Sequence, residues 1–166
     1  MNHTTEIILR AILIGAGATV LMDLWGFVQK RFLGLSPLNY CLLGRWIGHF
    51  PRGQFVHENI QRSAAVRGEC TLGWTMHYAI GVTFAGLLLA VWGLDWTERP
   101  TLAPALVVGI GTVVAPFFLM QPGMGSGIAA AKTPKPNVAR VRSLATHTIY
   151  GVGLYLTALV LAPVFP

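Results

Sequence analysis

The sequence predicts an all-α membrane protein, a four-helix transmembrane bundle with its N and C termini outside. Three observations carry that prediction. Of 166 residues, 54% are hydrophobic and 11% are charged, with mean hydropathy +0.59, whereas a soluble domain carries about 25% charged residues. Four apolar stretches, roughly 7–29, 72–92, 102–121 and 144–165, keep their acids and bases near their ends. Each approaches the ~20 residues a helix needs to cross a bilayer, where backbone groups must pair within their own segment. Ten of the twelve bases fall between stretches one and two or between three and four.

The first stretch follows "MNHTTEIILR", which has one Arg and one Glu, and no small-residue cleavage site comes after it. Lys30 and Arg31 behind it form a stop-transfer flank, so a retained helix is expected rather than a signal peptide. The basic loop 30–71 follows. Within it "LNYCLLGRWIGHF" alternates apolar and basic residues as an interfacial helix does, while "PRGQFVHENIQRSAAVRGEC" reads as irregular and polar. The second and third stretches flank the short "GLDWTERPT", which predicts an antiparallel hairpin. In the second basic loop, 122–143, Gly123, Gly125 and Gly127 predict a flexible turn, and Pro134 and Pro136 argue against a continuous helix before the fourth stretch.

The positive-inside rule places both basic loops in the cytoplasm. Only Arg10 and Arg99 lie on the other side. The net charge of +6 therefore points to anionic lipid headgroups of the bilayer as the partner and not to nucleic acid. Trp25 and Trp74 would sit near the cytoplasmic interface, Trp92 and Trp96 near the outer one. Cys41 and Cys70 are not spaced C-x-x-C, and a cytoplasmic loop is reducing, so free thiols are expected.

An internal two-helix repeat is also expected. "AILIGAGATV" (11–20) aligns with "ALVVGIGTVV" (105–114), matching Gly15 with Gly109 and Gly17 with Gly111. "TMHYAIG" aligns with "ATHTIYG", matching His77 with His147 and Gly81 with Gly151. Such repeats are common in membrane bundles.

The candidate chemistry lies in a polar layer near the cytoplasmic ends of the stretches, formed by Asp23, His77, His147 and Gln121. Recurrence at every fourth residue puts Gly15, Thr19 and Asp23 on one face. The same spacing groups Gly73, His77, Gly81 and Ala85, and Ser143, His147, Gly151 and Tyr155. Small residues at that spacing mark helix contacts, which points Asp23 and both histidines inward. An intramembrane acid is costly, by ~2.5–3.5 kcal/mol on insertion scales, and is usually paired and often functional.

Four readings follow. The layer binds or relays a proton, ion or small solute, with Asp23 orienting a histidine. Alternatively His77 and His147 ligate a transition metal or haem b, with the glycines beside His77 leaving room for a porphyrin. In a third reading the protein is a lipid-active enzyme, or a lipid-headgroup-binding or structural membrane subunit, in which Gly123, Gly125 and Gly127 with Lys132 and Arg142 cradle a phosphate headgroup. In the fourth, Asp23 hydrogen-bonds a histidine and simply locks the bundle. No nucleophile and base set is visible. His49 and His57, with Glu58 and Glu69, match no zinc spacing, and are expected on a solvated loop. Four helices are few for a complete pathway, so a homo-oligomer or a partner subunit is expected.

"GATVLMDLWG", "LNYCLLGRWIGHFPRGQFVHENI", "GWTMHYAIG", "APFFLMQPGMGSGIAA" and "LATHTIYGVGLY" resemble the small bacterial membrane proteins of domain-of-unknown-function family 2938. The resemblance covers nearly the whole chain. It implies a multi-pass protein of the bacterial inner membrane and brings no activity and no catalytic residues.

Overall fold

A computed structural model describes residues 2–35 and 37–164, and these are helical with no strand among them. Four helices are long and apolar enough to cross a membrane: His3–Leu33, Glu69–Trp92, Leu102–Gly123 and Pro136–Leu161. Helix α1 (His3–Leu33) begins where the Asn2 side chain accepts from the Thr5 N–H at 2.8 Å. It ends at Gly34, whose φ of 65° is the left-handed conformation that closes a helix. Glu6 in its first turn and Lys30 and Arg31 in its last complement the helix dipole. Helix α2 (Tyr40–Gly48) is capped by Asn39, and α3 is Glu69–Trp92. A single turn, α4 (Asp95–Glu98), leads into α5 (Leu102–Gly111).

The third span is not one regular helix. Pro116 has no N–H to donate, and the chain answers with a π-turn over Pro116–Met120 in which the Gln121 N–H reaches the Pro116 carbonyl. Helix α6 (Gln121–Gly123) completes the span. The fourth span departs from the expected start at 144. Helix α7 runs from Pro136 to Leu161, because proline suits the first helical position, where its missing N–H costs nothing. The expected end at 165 lies outside the described residues.

The chain forms two compact units. The first comprises the chain up to Pro37, Tyr78–Thr112 and the chain from Ala145. Its core holds Ile14, Leu88 and Leu154, and helices approach through small residues. A Cβ on Gly15 would stand 2.8 Å from the Gly81 carbonyl oxygen, and one on Gly109 would stand 2.6 Å from the Gly151 nitrogen. The Tyr150 hydroxyl donates to the Gly81 carbonyl at 2.6 Å. Trp96, expected in an interfacial belt, is instead buried in this core and donates to the Thr101 carbonyl. Arg10 is buried as well, held by Glu6 and by the Thr97 hydroxyl.

The second unit comprises Leu38–His77 and Val113–Leu144, around Leu43, Ile60 and Met124. Here the expectation of free thiols is overturned, because Cys41 and Cys70 form a disulfide. The reason is local packing. Gly44 of α2 and Gly73 of α3 lack side chains where the two helices meet, so their backbones come close enough to bring the first turns, and the sulfurs on them, together. The bidentate pair of Arg45 with Glu69, at 2.7 and 2.8 Å, fixes the same crossing.

Candidate functional site

In the first unit, Asp23 accepts a hydrogen bond from the Tyr78 hydroxyl at 3.0 Å. His147 is buried on α7, and its Nδ1 lies 3.2 Å from the Gly109 carbonyl oxygen and 3.1 Å from Thr112 Oγ1. A carbonyl only accepts, so Nδ1 carries a proton. The Thr112 hydroxyl in turn donates to the Gly109 carbonyl at 2.8 Å. Both titratable groups are thus joined to a hydroxyl, a group able to donate and to accept.

In the second unit, His77 is buried beneath Tyr40, the rings stacked at 3.9 Å between centroids, with Trp74 edge-on. Gln121 donates to Ser143 at a long 3.5 Å, and its buried Oε1 has no hydrogen-bond partner among the described residues. Asp23 and His147 therefore belong to one unit, His77 and Gln121 to the other.

The glycines one turn either side of His77 are sites of close packing. A side chain at Gly73 would run into the Tyr40 carbonyl, and one at Gly81 into the Thr19 hydroxyl. Among the described residues no group of three or more His, Cys, Asp or Glu is placed to hold a metal ion.

The glycine-rich segment serves close packing. Gly123 faces the Trp46 indole, Gly125 (φ 91°) abuts the Glu58 carbonyl, and Gly127 (φ 73°) lies against Lys132. The Lys132 N–H closes the turn onto the Ser126 carbonyl at 2.9 Å, and Lys132 itself is exposed while Arg142 is half-buried on α7.

His49 and His57 are not solvated loop residues as expected. Both are buried, with His49 Nδ1 2.7 Å from His57 Nε2. The loop folds back so that the His57 N–H donates to the Gly123 carbonyl at 2.8 Å and the Ile60 N–H to Met124 at 3.1 Å. His57 Nδ1 also faces Gly123 O, at 3.3 Å. That carbonyl requires a proton on Nδ1, so His57 Nε2 accepts from His49 Nδ1–H. Arg45, beside them, reaches the Ile60, Gln61 and Ser63 carbonyls as well as Glu69, and its guanidinium is held above its usual pKa first by the Glu69 hydrogen bond. The signal for the histidine pair was the reversal "FPRG" between His49 and His57, which brings residues eight apart face to face.

The family whose sequence model matches residues 12–161 is described as "Protein of unknown function (DUF2938)". No curated protein and no solved structure matches the chain.

Proposed function

Because this chain belongs to the DUF2938 family of proteins of unknown function, which brings no activity with it, we propose its function from the geometry: a multi-pass protein of the bacterial inner membrane that moves a proton, or an ion or small solute coupled to one. One observation carries the reading. Within spans that are otherwise apolar, Asp23 and His147 are each linked to a hydroxyl, Tyr78 and Thr112. Hydroxyl-linked acids and imidazoles suit proton relay, and intramembrane ionisable groups mark pathways. His77 and Gln121, in the second unit, are proposed as further polar groups serving the same function. The termini are assigned to the outside and the loops 30–71 and 122–143 to the cytoplasm, on charge.

The repeat is supported by matched contacts, since Gly15 meets Gly81 as their aligned counterparts Gly109 and Gly151 meet each other. A homo-oligomer or a partner subunit is proposed because four helices are few for a complete pathway.

The test is proton entry into proteoliposomes, read by an enclosed pH-sensitive dye under a potassium diffusion potential. Wild-type protein should admit protons, and Asp23→Asn and His147→Gln should fall to the level of protein-free vesicles. Wild-type flux equal to that of empty vesicles, or variants as active as wild type, refutes the proposal. The alternative reading keeps His77 and His147 as ligands of a transition metal or haem, and the Gly109 carbonyl beside His147 Nδ1 would direct ligation to Nε2. A Soret band or bound transition metal that His147→Gln removes would establish it, and its absence would dismiss it.

A further inference from the structure

We propose that the Cys41–Cys70 bond is a thiol–disulfide exchange site for a dithiol partner, and that its oxidation state governs how firmly Tyr40 covers His77. The regulatory half rests on the reading of His77 as a functional polar group.

Placement comes first. The loop carrying both cysteines is the strongly basic one assigned to the cytoplasm, where disulfides are transient and catalytic or sensing rather than structural. Accessibility agrees, because Cys70 is exposed on the first turn of α3 and Cys41 is half-buried on the first turn of α2. Each sulfur lies at the positive end of a helix, which favours the thiolate that must leave during exchange.

The chemistry balances. A thiolate of the partner dithiol attacks Cys70 Sγ. The S–S bond breaks and its electron pair departs on Cys41 Sγ, which takes a proton from water. The partner's second thiol, deprotonated, attacks the mixed disulfide and displaces Cys70 as a thiolate, which is also protonated. The partner ends as a disulfide, and the chain has gained two electrons and two protons. The reverse sequence restores the bond.

The geometry supplies the consequence. Helix α2 packs against α3 backbone to backbone at Gly44 and Gly73, and two side-chain links flank that contact. Near its C-terminal end Arg45 grips Glu69 at 2.7 and 2.8 Å. Near its N-terminal end the covalent link is the disulfide. Tyr40, the residue before Cys41, lies stacked on His77. Reduction removes the covalent hold at the end that carries Tyr40 and leaves the ion pair at the other end intact, so α2 hinges about Arg45.

The experiment reads thiols and His77 separately. Cells are quenched in acid and their thiols counted by the gel shift of a polyethylene-glycol maleimide. Both thiols should be free in unstressed cells, protected within minutes of diamide, and free again after its removal. In detergent-solubilised wild-type protein, dithiothreitol should raise the modification of His77 by diethyl pyrocarbonate several-fold, read by mass spectrometry. A Cys41→Ser/Cys70→Ser protein should show the high rate with or without reductant. A bond that persists in growing cells, thiols that stay free under diamide, or a His77 rate indifferent to reduction would each overturn the proposal. Labelling of Cys70 in a Cys41→Ser variant by an impermeant maleimide added to intact cells would do so too, by placing the loop on the oxidising side. None of these readouts uses proton flux, so failure of the transport reading alone leaves the exchange result standing.

Discussion

Gly44→Ala is the sharpest test of the α2–α3 crossing. A Cβ at Gly44 would overlap the Glu69 carbonyl oxygen and stand 2.6 Å from the Gly73 nitrogen, where real Cβ contacts do not fall below 3.0 Å. Both obstacles are backbone, so no side chain can rotate aside and the helices must part. Overpacking of this kind costs about 1–3 kcal/mol, and rigid neighbours on two sides favour the upper end. Gly111→Ala is the control. Nothing lies within 4 Å of a Cβ there, and its φ is not positive, so the substitution should gain up to ~1 kcal/mol of helix propensity. For a chain of this size each kcal/mol moves Tm by about 2–4 °C, and the two variants should separate by several degrees in thermal unfolding in detergent. The Gly44 variant should also form the Cys41–Cys70 bond more slowly from the reduced state. Equal melting of the two variants, with unchanged bond formation, would refute a backbone-to-backbone crossing at Gly44.

Four further outcomes follow from contacts described above. Arg45→Met should cost about 1–3 kcal/mol, between an exposed and a buried ion pair, because both side chains are 15% exposed; Arg45→Met/Glu69→Leu should recover most of it, and a double-mutant cycle without coupling would contradict the pairing. His57→Phe should cost about 1–3 kcal/mol by leaving His49 Nδ1 buried without its partner, measured by denaturant unfolding. Tyr78→Phe should remove a hydrogen bond worth about 1 kcal/mol and shift the Asp23 carboxyl band in the infrared, and an unmoved band would show that Tyr78 does not hold Asp23. Reducing the disulfide, whose cysteines are 29 residues apart, should lower stability by about 3–4 kcal/mol on the chain-entropy account, read from unfolding with and without dithiothreitol.

The spans were legible because an apolar run of bilayer length has few soluble alternatives. Their ends were less so. Pro136 looked like a break yet starts α7, since proline constrains the chain before it more than the helix after it. Pro116 sits inside an apolar run and gave no visible hint of the π-turn it imposes. Helical periodicity could place Asp23 on a face but could not name Tyr78, which follows His77 by one residue and so points roughly 100° away from it on α3. The FPRG reversal is a local signal that His49 and His57 face each other, but the burial of the pair depends on the loop folding back onto Gly123, a long-range contact that no local pattern encodes. The cysteines were misjudged because the expected compartment outweighed geometry that only the fold reveals, the near-contact of Gly44 and Gly73.

Charge and disulfide then pull in opposite directions, and their order in time decides between them. The first unit holds four bases and four acids and is neutral; the second holds eight bases and two acids and carries the whole net charge of +6. Orientation is set during insertion by bases near the ends of the spans. On that measure ten bases oppose Arg10 and Arg99, and the charge of Arg10 is already met by Glu6. A disulfide cannot enter that decision, because its two helices must insert and pack before the sulfurs meet. It then persists or turns over according to the compartment in which the loop lies. With the basic unit on the cytoplasmic side, as proposed on charge, the disulfide at its helix crossing would be a bond that is made and broken and not a fixed staple. That reasoning makes the redox state of Cys41 and Cys70 in living cells the measurement on which topology and regulation depend together.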